Sequence, residues 1–235
     1  MIASFSLRAI AAAALASVAM GAQAATVVLS NYTYGNGNAV AVTAPAYYGG
    51  AGGFSGTLSG FGAFDGAFNS YCVELSESFS FGTSYHDYGL VSAASHFDAA
   101  KVTALGKLIS YVYGNDLFGG TAAGYKDDLS TAVQIAIWNI VYDTDATLSS
   151  GVFMETSTGY RTGSSHYIGA NTLLANSQVA GQGITYSLNV LESKGRPGHQ
   201  DQLIWQAVPE PASVSLVALA LGVAGLSTRR RKPAA

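Results

Sequence analysis

The sequence predicts an α+β domain, a β sandwich or barrel with two inserted helices, lying between a removable segment at each end. Three observations carry this expectation. Short β-branched and alternating apolar runs, separated by Gly- and Asn-rich turns, open the central part of the chain and return at its close. Between them lie two stretches with apolar residues at helical spacing. The two termini have the make-up of targeting segments rather than of a packed core.

Residues 1–24 read as a secretory signal. Arg8 supplies the positive start, Ala9 to Met20 the apolar run, and Ala22-Gln23-Ala24 a small-x-small cleavage site, against a plain buried helix. The domain proper is expected over residues 25–207. Thr26 to Leu29 begins it as a β-branched run, Gly35-Asn36-Gly37-Asn38 is a turn, and Ala39 to Thr43 alternates. Gly49 to Gly62 reads as loop with strand pieces, and Phe68 to Phe81 as a strand with Cys72 near its middle. Ser95 to Asp98 resembles a capping box, followed by Val102, Leu105, Leu108, Ile109 and Val112 on one face, and Gly114-Asn115 stops that helix. The second helix starts at Asp127 or Asp128, read as an N-cap pair at the positive end of the dipole, and runs to about Tyr142. Ile184 to Leu191 and Gln202 to Ala207 return to strand around a polar loop with Gly195, Pro197 and Gly198.

Residues 208–235 have three parts: Val208-Pro209-Glu210-Pro211, an apolar run from Ala212 to Leu226, and the basic cluster Arg229-Arg230-Arg231-Lys232. The two prolines cannot continue a ladder or a helix, so the tetrapeptide is an extended hinge. The apolar run forms a short hydrophobic helix able to enter a membrane with the basic cluster on the cytoplasmic side. Pro209, Glu210 and Pro211, with this helix and arginine cluster, resemble the PEP-CTERM sorting signal of Gram-negative bacteria. The resemblance implies recognition by an exosortase as partner, transient anchoring in the inner membrane, cleavage near the motif, and transfer to the cell surface or extracellular matrix.

Composition sets limits on function. Only 11% of residues are charged, against roughly 25% in an average soluble domain, while Gly at 28 and Tyr at 14 suit a secreted β-rich protein. Residues 25–208 hold six basic groups (Lys101, Lys107, Lys126, Arg161, Lys194, Arg196) and thirteen acids, a net charge of −7. A nucleic-acid partner would require a basic stripe, which is missing. Cys72 stands alone, so no disulfide forms within the chain, and a single cysteine in an exported protein points to an intermolecular bond, a reactive thiol or another covalent use.

The second helix carries the candidate chemistry. Ala132 to Val141 reads AVQIAIWNIV, apolar on nearly every face, so Gln134 is expected to be buried and to need a partner. Trp138 shares its face one turn on. Tyr71-Cys72-Val73-Glu74, with Gln134-Ile135-Ala136-Ile137-Trp138, resembles the thioester domains of bacterial surface adhesins across roughly residues 65–145. That resemblance implies a cross-link between Cys72 and Gln134 in a pocket of Tyr71, Val73, Ala136 and Trp138. It implies covalent capture of an amine or hydroxyl on a surface or matrix target. Such a reaction is single-use, so no enzyme turnover and no cofactor are expected.

Other readings stand beside it. Cys72 is also read as a small buried hydrophobe and Gln134 as a satisfied core amide, giving a structural matrix protein. A Cys-His hydrolase would pair Cys72 with His86, His96, His166 or His199, although no local signature surrounds the cysteine and His96 and His199 read as solvated. Four scattered histidines and one cysteine show no metal-ligand spacing.

Overall fold

The structure, a computed structural model, describes residues 24–143, 145–156 and 168–208. Apart from Ala24 and Val208, the segments expected to be an export signal and a sorting tail with a hydrophobic helix lie outside the described residues, as do Arg161 and His166. Among the described residues no helix is long and apolar enough to cross a membrane.

Seven strands form one antiparallel sheet: β1 (Thr26–Tyr32), β4 (Phe54–Ser59), β5 (Gly66–Cys72), β6 (Ser84–Tyr85), β7 (Tyr88–Ser92), β8 (Tyr186–Ser193) and β9 (Gln202–Ala207). Their order is β6-β1-β4-β5-β9-β8-β7. The two edge strands β6 and β7 follow one another in the chain, separated only by His86 and Asp87. The sheet therefore curls until its edges nearly meet, giving a nearly closed barrel. Alternation places Val27 and Leu29 of β1 and Phe54 and Leu58 of β4 in the core. β9 departs from alternation: Gln202, Leu203 and Ile204 are all buried. A separate hairpin, β2 (Asn38–Val42) and β3 (Tyr47–Ala51), packs on the long central helix.

Four helices are present among the described residues where two were expected: α1 (Ala93–His96), α2 (Ala99–Gly114), α3 (Tyr125–Tyr142) and α4 (Ala170–Ser177). The predicted apolar face of α2 is observed, with Leu105, Leu108, Ile109 and Val112 fully buried. Its cap differs. Asp98, not Ser95, is the N-cap and accepts from the Lys101 N–H at 2.9 Å. Ser95 instead belongs to the single turn of α1, which ends where Phe97 takes an extended conformation and the chain restarts. The α4 segment ANTLLANS carries no side-chain cap and buries Ala170, Leu173, Leu174 and Ser177 where it packs on α2 and α3, too short a pattern to register as helix.

Two further boundaries move. α3 begins at Tyr125, after Gly124 in the left-handed region at φ 74°. Asp127 and Asp128 therefore sit inside its first turn instead of capping it. Asp128 Oδ1 accepts from Asn38 Nδ2 at 3.2 Å, and Asp127 accepts main-chain N–H groups of the Asn36–Gly37 turn. The strand expected over Phe68 to Phe81 stops at Cys72. Beyond it Phe79 and Phe81 pack on Phe54, at 4.9 and 5.8 Å between ring centroids, so their alternation reflects an aromatic cluster rather than a ladder. β9 matches its expected span, and β8 starts two residues later than the sequence suggested.

Candidate functional site

The site arises where β5 runs out of neighbours. The β4–β5 ladder ends at the Phe54–Ser70 pair, whereas β5 continues to Cys72. On its other side Cys72 stands opposite Gln202 of β9, and Val73 N–H donates to the Asp201 carbonyl at 3.1 Å. The main-chain N–H and C=O of Cys72 thus face the place that β4 has vacated, in a dry interior where unpaired groups are costly. Helix α3 fills that place. Cys72 N–H donates to Gln134 Oε1 at 2.9 Å, and Gln134 Nε2 donates back to the Cys72 carbonyl at 2.8 Å. The carboxamide behaves like one residue of a missing strand.

Gln134 belongs to a short polar stripe on an otherwise apolar helix. Gly53 N–H donates to Ser130 Oγ at 2.8 Å, and Thr131 Oγ1 donates to the Ala51 carbonyl at 2.9 Å. Residues 130, 131 and 134 share one side of the helix, and they satisfy main-chain groups of β3, β5 and the Gly52-Gly53 connection. Ser130, Thr131 and Gln134 are all fully buried. Gly53 permits the close approach, since a Cβ there would lie 2.9 Å from the Tyr71 ring.

The thiol of Cys72 has its own partners. Its S–H donates to Gln200 Oε1 at 2.6 Å, and Gln202 Nε2 donates to the sulfur at 3.6 Å. Burial pushes the thiol well above its ordinary range, Gln202 draws it back, and the Glu74 carboxylate raises it again. A cavity of about 180 Å³ adjoins the sulfur. Cys72 and Gln200 line it together with the rings of Tyr32, Tyr47, Phe54, Phe79, Phe81 and Trp138, and Glu77 is the one acid among its lining residues. Burial first, then Cys72 and Tyr32, pushes the Tyr47 hydroxyl up to about 12, so it stays protonated at neutral pH. Among the described residues the buried Trp138 Nε1–H has no acceptor, while its ring meets Tyr47 edge-on at 5.4 Å.

The structure joins Gln134 to Cys72 by hydrogen bonds and sets Cys72 and Trp138 in the cavity wall, which Gln134 itself does not line. Tyr71, Val73 and Ala136, read from sequence as pocket residues, lie in the packed interior and do not line the cavity. Tyr71 stacks on Trp205 at 5.6 Å between ring centroids and its hydroxyl meets that of Tyr113 at 3.3 Å. No histidine is among the thiol's hydrogen-bond partners in the described residues. His96, expected to be solvated, lies 3.6 Å from Glu192 and 3.8 Å from Asp201, and His199 packs on the Tyr85 ring at 4.4 Å. Among the described residues no group of three or more His, Cys, Asp or Glu could hold a metal ion.

Gln200 and Gln202 were not singled out from sequence. The available signal was a pair of amides flanking Asp201 at the entry to an apolar strand, which reads as ordinary loop polarity until β9 is placed beside Cys72.

Residues 207–232 match the PEP-CTERM protein-sorting motif. The motif marks the chain for exosortase processing and delivery to the cell surface. No curated protein and no solved structure matches the chain.

Proposed function

We propose that this surface protein is adhesin-like, and that its folded part forms an internal thioester between Cys72 Sγ and Gln134 Cδ. The observation that supports this is the reciprocal pair of hydrogen bonds between the Gln134 carboxamide and the Cys72 main chain, at 2.9 and 2.8 Å. They place the carbonyl of a poor electrophile against a fixed N–H donor. In the cross-linked state the same N–H reaches the thioester oxygen through a small ring of Cα, Cβ, Sγ and Cδ, so it stabilises the oxyanion of attack as well as the ground state. Proximity inside a packed core supplies the rest.

The step balances simply. The S–H and Cδ–Nε2 bonds break, the Sγ–Cδ bond forms, and the thiol proton leaves with the amide nitrogen as ammonia. A target amine or hydroxyl entering through the aromatic cavity then attacks Cδ. Its proton returns to sulfur, and an amide or ester ties residue 134 to the target. The reaction occurs once per molecule. Before processing, the C-terminal helix holds the chain in the inner membrane; afterwards it resides on the surface or in a biofilm matrix.

A second reading has its own observation. Both the oxygen and the nitrogen of the Gln134 carboxamide are hydrogen-bonded to Cys72, and burial keeps the thiol protonated, which also suits an inert staple in a structural matrix protein. Intact mass separates the two. The thioester reading expects the purified protein to be lighter than its sequence by one ammonia, a Cys72→Ala variant to show its full mass, and methylamine to add to the parent alone. A full parent mass with a free thiol in fresh preparations would reject it in favour of the staple.

A further inference from the structure

The surroundings of the sulfur are more specific than a buried cysteine requires. Gln200 Nε2 donates to the Glu74 carbonyl at 2.7 Å, which turns its oxygen toward Cys72. Its main-chain carbonyl is held in turn by the Tyr88 hydroxyl at 2.8 Å. Gln202 is pinned the opposite way round. Ser70 Oγ donates to Gln202 Oε1 at 2.9 Å, and Gln202 Nε2 donates to the Gln200 carbonyl at 3.1 Å, which leaves its other amide hydrogen for the sulfur at 3.6 Å. Ser70 and Gln202 are fully buried and Gln200 nearly so. The thiol is thus bracketed by one amide that accepts and one that donates, each with its far end fixed.

We infer that Gln200 and Gln202 form a two-amide clamp that presents the Cys72 thiol to Gln134, Gln200 fixing the S–H direction and Gln202 supporting the sulfur as it loses its proton. This rests on the Cys72–Gln134 cross-link for its purpose, although the clamp itself is a property of the thiol. With the S–H bond aimed at Gln200 and one lone pair taken by Gln202, a second lone pair remains free for the Gln134 carbon. In the forward step the proton leaves sulfur from the Gln200 side and ends on the departing ammonia. In the capture step the same acceptor takes the S–H that is restored. An apolar residue at either position would leave the sulfur buried but undirected, since S–H is a weak donor with no other partner among the described residues.

The experiment has two arms, using Gln200→Met and Gln202→Met, which keep side-chain length and remove the amide. In a Gln134→Ala background the thiol cannot be consumed. There the Raman S–H stretch should lie below that of the unfolded chain, and Gln200→Met should return it to the unbonded position. Gln200→Glu, which keeps an acceptor, should hold it low. The pH profile of alkylation by iodoacetamide should move to higher pH in Gln202→Met. With Gln134 present, either methionine should slow ammonia loss after refolding by about tenfold, the worth of one oriented hydrogen bond. An S–H band and alkylation profile unchanged by both substitutions would overturn the clamp. If the parent never loses ammonia, the cross-link reading fails, while the Raman and alkylation arm still decides whether the clamp exists.

Discussion

Removing the sulfur separates a covalent site from an inert one by the size of the stability loss. In Cys72→Ala the main-chain N–H and C=O that Gln134 satisfies are retained, so the two hydrogen bonds survive. What goes is a small buried group, worth about 1 kcal/mol by area, and, where the thiol is free, also the S–H donor to the buried Gln200 Oε1, worth about 1–3 kcal/mol more. If a thioester joins residues 72 and 134, the variant also loses a cross-link that closes a loop of 62 residues. By the chain-entropy relation used for disulfides, such a closure is worth about 4 kcal/mol at 25 °C. The expected cost is therefore about 5 kcal/mol with the bond and about 2–4 kcal/mol without it. For a chain of this size a difference of about 1–3 kcal/mol amounts to a midpoint lower by roughly 2–12 °C. Equilibrium urea unfolding reads it, provided the parent is checked by mass before and after the titration. Methylamine supplies the control, since it opens the bond while leaving Cys72 in place, and should drop the parent to the level of the variant. A Cys72→Ala cost of about 2–4 kcal/mol or less, with no effect of methylamine on the parent, would refute the covalent account.

Three further outcomes follow from the geometry. In the Cys72→Ala background, Gln134→Met leaves two buried main-chain groups unpaired and should cost about 2–6 kcal/mol, read by urea unfolding. Gly53→Ala places a Cβ 2.9 Å from the Tyr71 ring and 3.3 Å from the Ser70 carbonyl; overpacking there should cost about 1–3 kcal/mol and lower the thermal midpoint. Asp201 is raised to about 6, by burial first and by Glu74 and Glu192, against the pull of the Ser193 N–H and of His96. A carboxylate whose folded value lies above its unfolded value destabilises at high pH and is relieved as pH falls. Its contribution should therefore grow more favourable from about pH 7 to about pH 4, and Asp201→Asn should flatten that part of the stability profile.

How much of this was legible beforehand varies by element. The α2 face, β9 and the turn at Gly35 to Gly37 follow from local periodicity and turn chemistry, and they stand where the sequence placed them. α3 was readable as a buried helix because Gln134 and Asn139 alone interrupt ten residues from Ala132 to Val141. The pairing of Cys72 with Gln134 was visible only through the motifs around each, 62 residues apart. Its form was not: that the amide would bind the main chain of Cys72 depends on the β4–β5 ladder stopping at the Phe54–Ser70 pair, a tertiary event. Phe79 and Phe81 alternate as strand residues do, yet they close an aromatic cavity, because side-chain clustering and ladder formation leave the same period in sequence. Gln200 and Gln202 stayed hidden for the same reason. Their meaning depends on a strand crossing from the far end of the chain to lie beside Cys72.

Locating a methylamine label tests the central claim most directly. The protein is treated with isotopically labelled methylamine, digested, and sequenced by tandem mass spectrometry. The account predicts one label, on residue 134, with the Cys72 thiol set free at the same time and no label in Cys72→Ala. An unlabelled protein, or a label on Gln200 or any other residue, would contradict it.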